Sequence, residues 1–142
     1  MKGFLFEKEE TLKEQQENVI FTKKLYRNIN TIKLINPNMS DNILIFDEFV
    51  FKTTNNTEVN IYLDETKENH YQDDIIIKKY MYMDKVDALN IRNLEVGNKE
   101  LHVLKNEQLI LLPGGEIIIQ TKELVGEMFI SIKWLKESLM RR

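Results

Sequence analysis

The sequence predicts an all-β fold, an antiparallel, jelly-roll-like β-sandwich of about eight strands with an N-terminal arm. Three observations carry that expectation. First, the chain holds 17 Ile and 8 Thr against a single alanine, Ala88. β-Branched residues lose rotamer freedom in a helix and pack well on a pleated surface. Second, there are 14 Asn, a residue that tolerates left-handed backbone and so suits turns. Third, short apolar runs recur between clusters of turn residues, the rhythm of strands joined by tight connections rather than of alternating strands and helices.

Residues 1–18 form the expected arm: from Glu7 to Asn18 the only apolar residue is Leu12, too little to anchor a helix face. Residues 19–142 form the expected single domain. Val19–Phe21 and Tyr26–Ile35 read as two strands, ended by Asn36-Pro37-Asn38. Ile43–Lys52 is apolar on both faces, the mark of a central strand. Thr53–Thr57 reads as a hairpin connection into Glu58–Leu63, where Val59, Ile61 and Leu63 alternate with polar residues. Asp64–Asp74 is an acidic loop. Strands are then expected at Ile75–Met83, Ala88–Val96, Glu100–Leu104, Gln108–Leu112, Glu116–Thr121 and Met128–Leu135. Gly97-Asn98, Lys105-Asn106, Pro113-Gly114-Gly115 and Gly126 separate them. Lys136–Arg142 is a short tail. Tyr26, Phe46, Phe49, Phe51, Phe129 and Trp134 are the expected core aromatics.

Several function classes lack their residues. With no cysteine in 142 residues, disulfides, thiolate nucleophiles and most structural zinc schemes are removed together. His70 and His102 are the only imidazoles, far apart in sequence, and no Ser/His/Asp arrangement accompanies them. Pro113-Gly114-Gly115 leads into Glu116 and an isoleucine run, whereas a phosphate loop leads into a helix bearing Lys and Ser or Thr. Proline followed by glycine instead fits a type II turn. Asp47 and Glu48 are adjacent in a strand and so point to opposite faces. The acidic loop lacks calcium-loop spacing. Lys78-Lys79-Tyr80-Met81-Tyr82 interleaves cations with aromatics as single-strand nucleic-acid surfaces do, but net charge is −3. The expectation is no catalytic, cofactor-binding or metal-binding residue, no enzyme activity, no nucleic-acid partner and no membrane span. Met1–Glu10 lacks the apolar run and cleavage site of a signal peptide, so cytoplasmic synthesis is expected.

The order of features resembles small β-sandwich structural proteins of bacteriophages and phage-tail-like particles. The resemblance rests on Ile32-Lys33-Leu34-Ile35-Asn36, on the Thr/Asn-rich segment and alternating strand of Thr53–Leu63, on Leu112–Ile117, and on the aromatic final strand Met128–Trp134. It implies a collar, neck, decoration or tail-adaptor subunit, partnered by copies of itself in a ring and by other particle subunits, and finally part of an assembled virion-like particle. The arm and the acidic loop are the expected contacts. The alternative is a module that binds carbohydrate or a host surface through exposed Tyr62, Tyr71, Tyr80 or Tyr82.

Overall fold

The computed structural model describes residues 1–7 and 19–139. The chain forms one open antiparallel sheet of nine strands: β1 (Gly3–Glu7), β2 (Ile20–Ile35), β3 (Asn42–Thr53), β4 (Thr57–Glu65), β5 (Ile76–Tyr80), β6 (Leu89–Val96), β7 (Leu101–Val103), β8 (Glu107–Leu111) and β9 (Gly115–Ser138). The all-β, antiparallel expectation holds, and no described residue is helical.

The last strand organises the rest. β9 runs for 24 residues and pairs with β2 along one side, from Ile20 opposite Trp134 to Ile35 opposite Glu116. On its other side it pairs first with β4, from Glu65 opposite Gly115 to Val59 opposite Thr121, and then with β3, from Thr53 opposite Met128 to Asn42 opposite Ser138. The sheet therefore has two branches. One runs β2–β9–β3–β8–β1, with β7 beside the far end of β3. The other runs β5–β2–β9–β4–β6.

Three expected boundaries change accordingly. Val19–Phe21 and Tyr26–Ile35 fuse into β2, whose irregularity falls at Asn28 (φ 54°) and in the register shift between Ile29 and Thr31. Glu116–Thr121 and Met128–Leu135 fuse into β9, which passes straight through Gly126. The Thr53–Thr57 hairpin is overturned, because β3 and β4 do not pair with each other but lie end to end along β9. The Thr/Asn side chains bridge the gap by taking the place of ladder partners. Thr54 Oγ1 accepts from the Glu127 N–H at 3.1 Å, Thr57 Oγ1 from the Glu123 N–H at 3.2 Å, and Asn55 Oδ1 from the Gly126 N–H at 3.4 Å. β1 was not expected. Of the arm read over 1–18, Gly3–Glu7 lies in the sheet against β8, and residues 8–18 lie outside the described residues, as do 140–142 of the tail.

The core is one cluster fed by both branches, with Leu44, Phe46, Phe49 and Phe51 of β3, Val59 and Ile61 of β4, and Ile117, Ile119, Ile130 and Ile132 of β9. Alternation sets which side chains enter, since every second residue of a strand shares a face. Phe46, Phe49 and Phe51 form a chain of rings with centroids 5.6 and 5.9 Å apart, and Trp134 stacks on Phe46 at 6.3 Å. The Trp134 indole N–H, which needs a partner once buried, donates to Thr22 Oγ1 at 2.9 Å. Tyr26 packs at the margin of this core, and burial raises its phenol pKa above the ordinary value. Phe129 is a correction: it faces the other way, opposite Leu25 and Lys52.

Pro113-Gly114 turns the chain into β9 as expected. The Gly115 N–H donates to the Leu112 carbonyl at 2.9 Å, and Gly114 has φ 89°, the signature of a type II turn. Asn36, fully buried, ties this turn to the rest: its Nδ2 donates to the carbonyls of Asn42 at 2.8 Å and Leu111 at 2.9 Å. On the outer face of the second branch, residues 81–88 cross from β5 to β6 over β2 and β9. Asn30 holds this strap with both ends of its amide. Nδ2 donates to the Met83 carbonyl at 2.9 Å and Oδ1 accepts from the Met83 N–H at 2.8 Å. Gln120 adds Nε2 bonds to the carbonyls of Met83 at 3.0 Å and Asp84 at 3.1 Å. In the Ile117-Ile118-Ile119 run, Ile118 points away from the core, on the same face as Gln120, and is 2% exposed.

Candidate interaction surface

The first half of β2 is a sheet edge. Its other side is covered by β5 only from Thr31 to Ile35, so among the described residues no strand pairs with the outer side of Ile20–Asn28. A row of backbone N–H and C=O groups left in this way is a template for another strand, and proteins commonly shorten or cover such edges. Here the edge is long and carries large apolar groups: Phe21 is 64% exposed and Leu25 51% exposed.

Alternation gives the edge two chemical faces. Phe21, Lys23, Leu25 and Arg27 point outward, opposite Lys133, Ser131, Phe129 and Glu127 of β9. Ile20, Thr22, Lys24 and Tyr26 point to the core side, where Thr22 meets Trp134. Arg27 is engaged, its Nε donating to Glu127 Oε2 at 3.0 Å. Lys23 and Lys24 are exposed and have no carboxylate partner among the described residues. Lys79 at the end of β5 adds a third ammonium, 5.9 Å from the centre of the Tyr26 ring. Beside Leu25 the outer face sinks into a groove of about 420 Å³ lined by Leu25 and Phe129 together with Lys52, Asn98, Glu100 and Glu127. Apolar side chains with a charged surround are the composition of a protein-contact patch more than of a reaction centre.

A second, more polar cleft of about 280 Å³ lies on the outer face of the other branch. Lys33 and Lys78 are cross-strand neighbours there, an arrangement that repels unless each charge is answered. Glu116 lies 3.5 Å from the Lys33 ammonium and Glu68 lies 3.1 Å from that of Lys78. Lys33 also sits 5.6 Å from the Tyr80 ring centre. The hydrogen bond and charge of Lys78 hold the Glu68 carboxyl below the usual carboxylate range. Both ammoniums are thus answered by carboxylates within the cleft, whose lining also carries Asp64, Glu65 and Lys67.

The sequence features singled out earlier scatter over the surface. Lys78 and Tyr80 share a face and Lys79 takes the other, so the run Lys78–Tyr82 does not form one cationic, aromatic platform. Tyr71 and Tyr82 are exposed, whereas Tyr62 and Tyr80 are half-buried on separate strands. His70 is placed by its loop: its N–H donates to Asn38 Oδ1 at 2.9 Å and its Nε2 lies 3.4 Å from Thr66 Oγ1. His102 is exposed, with Glu48 and Glu100 each 3.5 Å from a ring nitrogen. Among the described residues no group of three or more His, Cys, Asp and Glu side chains is arranged to hold a metal ion, and no helix is long and apolar enough to cross a membrane. Compared with protein-family models and with curated proteins, the chain matches none. The surface must therefore be read from its own chemistry. The edge was missed in the sequence because Thr22-Lys23-Lys24 interrupts the apolar pattern; the alternation of Phe21 and Leu25 across that interruption is the signal that was there to find.

Proposed function

We propose that this chain is a structural assembly subunit of the phage or phage-tail-like particle class, of collar, neck, decoration or tail-adaptor type, which builds a ring by adding strands to open sheet edges. The observation that carries this reading is the edge Ile20–Asn28, which no strand pairs on its outer side among the described residues, with Phe21 and Leu25 exposed on it. An edge of that length is an aggregation hazard in a protein that stays alone and an asset in one that pairs. We further propose that the two branches of the sheet fold over one core as a sandwich. One cluster draws on both branches, and Gly3 of one branch lies so near β4 of the other that a Cβ there would come 3.1 Å from Leu63.

The test is absolute mass in solution by light scattering across a concentration series, for the native chain and for Phe21→Glu/Leu25→Glu. A discrete oligomer that reverts to the 16.9 kDa chain in the variant, with unchanged circular dichroism, is the expected result. A native chain that stays monomeric at every concentration refutes the ring.

A further inference from the structure

Resting on that assembly reading, we infer that the open edge of β2 in one copy receives the tip of the acidic loop, Tyr71-Gln72-Asp73, from a second copy. The charges of β2 supply the first step. The strand carries four cations. Arg27 is answered by Glu127 at 3.0 Å and Lys33 by Glu116 at 3.5 Å. Lys23 and Lys24 are exposed and have no carboxylate partner among the described residues. Pairing the edge with itself does not answer them. In a two-fold antiparallel pairing, the register that sets Phe21 of one copy against Leu25 of the other sets Lys23 against Lys23, and like charges directly opposite one another destabilise a strand pair. The edge calls for a surface of opposite sign.

The loop between β4 and β5 presents one. Tyr71 at its tip is 80% exposed, a large side chain of the kind that anchors protein contacts. Asp73 is exposed, and among the described residues its carboxylate has neither a cation nor a hydrogen-bond donor. No backbone hydrogen bond joins Tyr71 or Gln72 to another described residue. Set antiparallel along the edge, Tyr71 falls opposite Leu25 and Asp73 opposite Lys23 on the outer face, with Gln72 opposite Lys24 on the core side. The aromatic ring then adjoins the groove of Leu25 and Phe129, and the carboxylate meets the ammonium. The N–H and C=O groups of Tyr71 and Gln72 continue the ladder on β2. A one-residue slip would lose the charge and the apolar match together.

Within one copy the tip is tied elsewhere. The His70 N–H donates to Asn38 Oδ1 at 2.9 Å, and Ser40 Oγ and Asn42 Nδ2 each donate to the Asp73 carbonyl at 3.4 Å. Asp74 lies 3.7 Å from the Lys136 ammonium. These contacts fasten both sides of the tip to residues 38–42 and to the end of β9, and none of them involves the open edge of β2. The edge is therefore filled from a second copy. The tip arrives already shaped, which lowers the ordering cost of the contact. Each copy carries one tip and one open edge, two different surfaces. A contact between them is heterologous, repeats from copy to copy, and closes into a ring when the rotation allows.

The chain has no cysteine, which makes the test direct. Single variants Asp73→Cys and Lys23→Cys, mixed and oxidised, are expected to give a disulfide-linked pair of chains that neither variant gives alone. A linked pair from either variant alone overturns the inference in favour of a like-with-like contact. An internally bridged monomer from the variant carrying both changes overturns it in favour of an intrachain contact. No bridge in a mixture whose scattering mass is oligomeric also overturns it and leaves the assembly reading standing, whereas a monomeric native chain removes both. Charge and shape give an independent arm, read by light scattering with circular dichroism as the check on folding. Tyr71→Ser, Asp73→Lys and Lys23→Glu/Lys24→Glu should each weaken association about tenfold. Mixing Asp73→Lys with Lys23→Glu/Lys24→Glu should restore it, and failure of that mixture to recover refutes the pairing of Asp73 with Lys23.

Discussion

Replacing Asn30 by alanine tests whether the strap over residues 81–88 is held as the structure indicates. Asn30 is 5% exposed and its amide makes three bonds: to the carbonyl and the N–H of Met83, and from Thr31 Oγ1 at 2.9 Å. At about 1 kcal/mol net for each bond, the substitution costs about 3 kcal/mol, and more where the Met83 N–H is left buried without a partner. The Met83 carbonyl keeps its bond from Gln120, so the loss is not complete. Urea unfolding gives the global term, and hydrogen exchange at the Met83 amide tells whether the strap opens locally before the sheet does. Because Asn30 and Gln120 share an acceptor, a double-mutant cycle with Gln120→Ala should show a coupling energy of about 0.5–3 kcal/mol. A loss below about 0.5 kcal/mol, the range of an ordinary surface change, with Met83 exchange unaltered, would refute the view that this amide fastens the strap.

Two further perturbations bear on the turn and on the charged cleft. Gly114→Ala forces a side chain into φ 89°, a conformation costing about 1–2 kcal/mol for an L-residue. Its Cβ would meet the flexible end of Lys2 at 3.0 Å, so backbone strain dominates, and a neutral result in chemical denaturation would show the turn relaxing to another form. The lowered pKa of Glu68 has a definite sign in the linkage between pH and stability. Its contribution is present above the ordinary carboxylate pKa and is lost as pH falls through the depressed folded value. Lys78→Met should return the Glu68 titration, followed by carboxyl carbon shifts, toward the ordinary range; an unmoved curve would assign the shift to another cause.

The sequence made the strands legible because composition and alternation are local. Val59, Ile61 and Leu63 reach the core as their spacing predicts, and Pro113-Gly114 turns as its chemistry requires. The joins were not legible. Lys23-Lys24 split β2 on paper, because among the described residues no strand lies beyond the first half of β2 to demand an apolar face. Gly126 looked like a turn, yet it lets Thr54 Oγ1 approach within 3.2 Å of where a Cβ would sit while the strand runs on. Thr53–Thr57 looked like a hairpin tip because its residues are turn formers, but their hydroxyls and amides serve a strand about seventy residues later in the chain. The candidate surface was hidden for the same reason. Whether an edge is open depends on which strands lie beside it, and topology is a long-range property that no window of residues contains.

The placement of β9 also has a consequence for synthesis. β2, β3 and β4 are translated early, and all three pair with a strand that begins at Gly115. Until that strand leaves the ribosome, the sides of these three partly apolar strands that face β9 stay vacant, although their other partners β5, β6, β7 and β8 are already made. Contacts this distant in sequence fold slowly, and unpaired edges exposed meanwhile invite association with the wrong partner. A nascent chain halted before Gly115 would hold most of its strands and lack the one that joins them, so the final stretch of translation converts separate ribbons into a sheet.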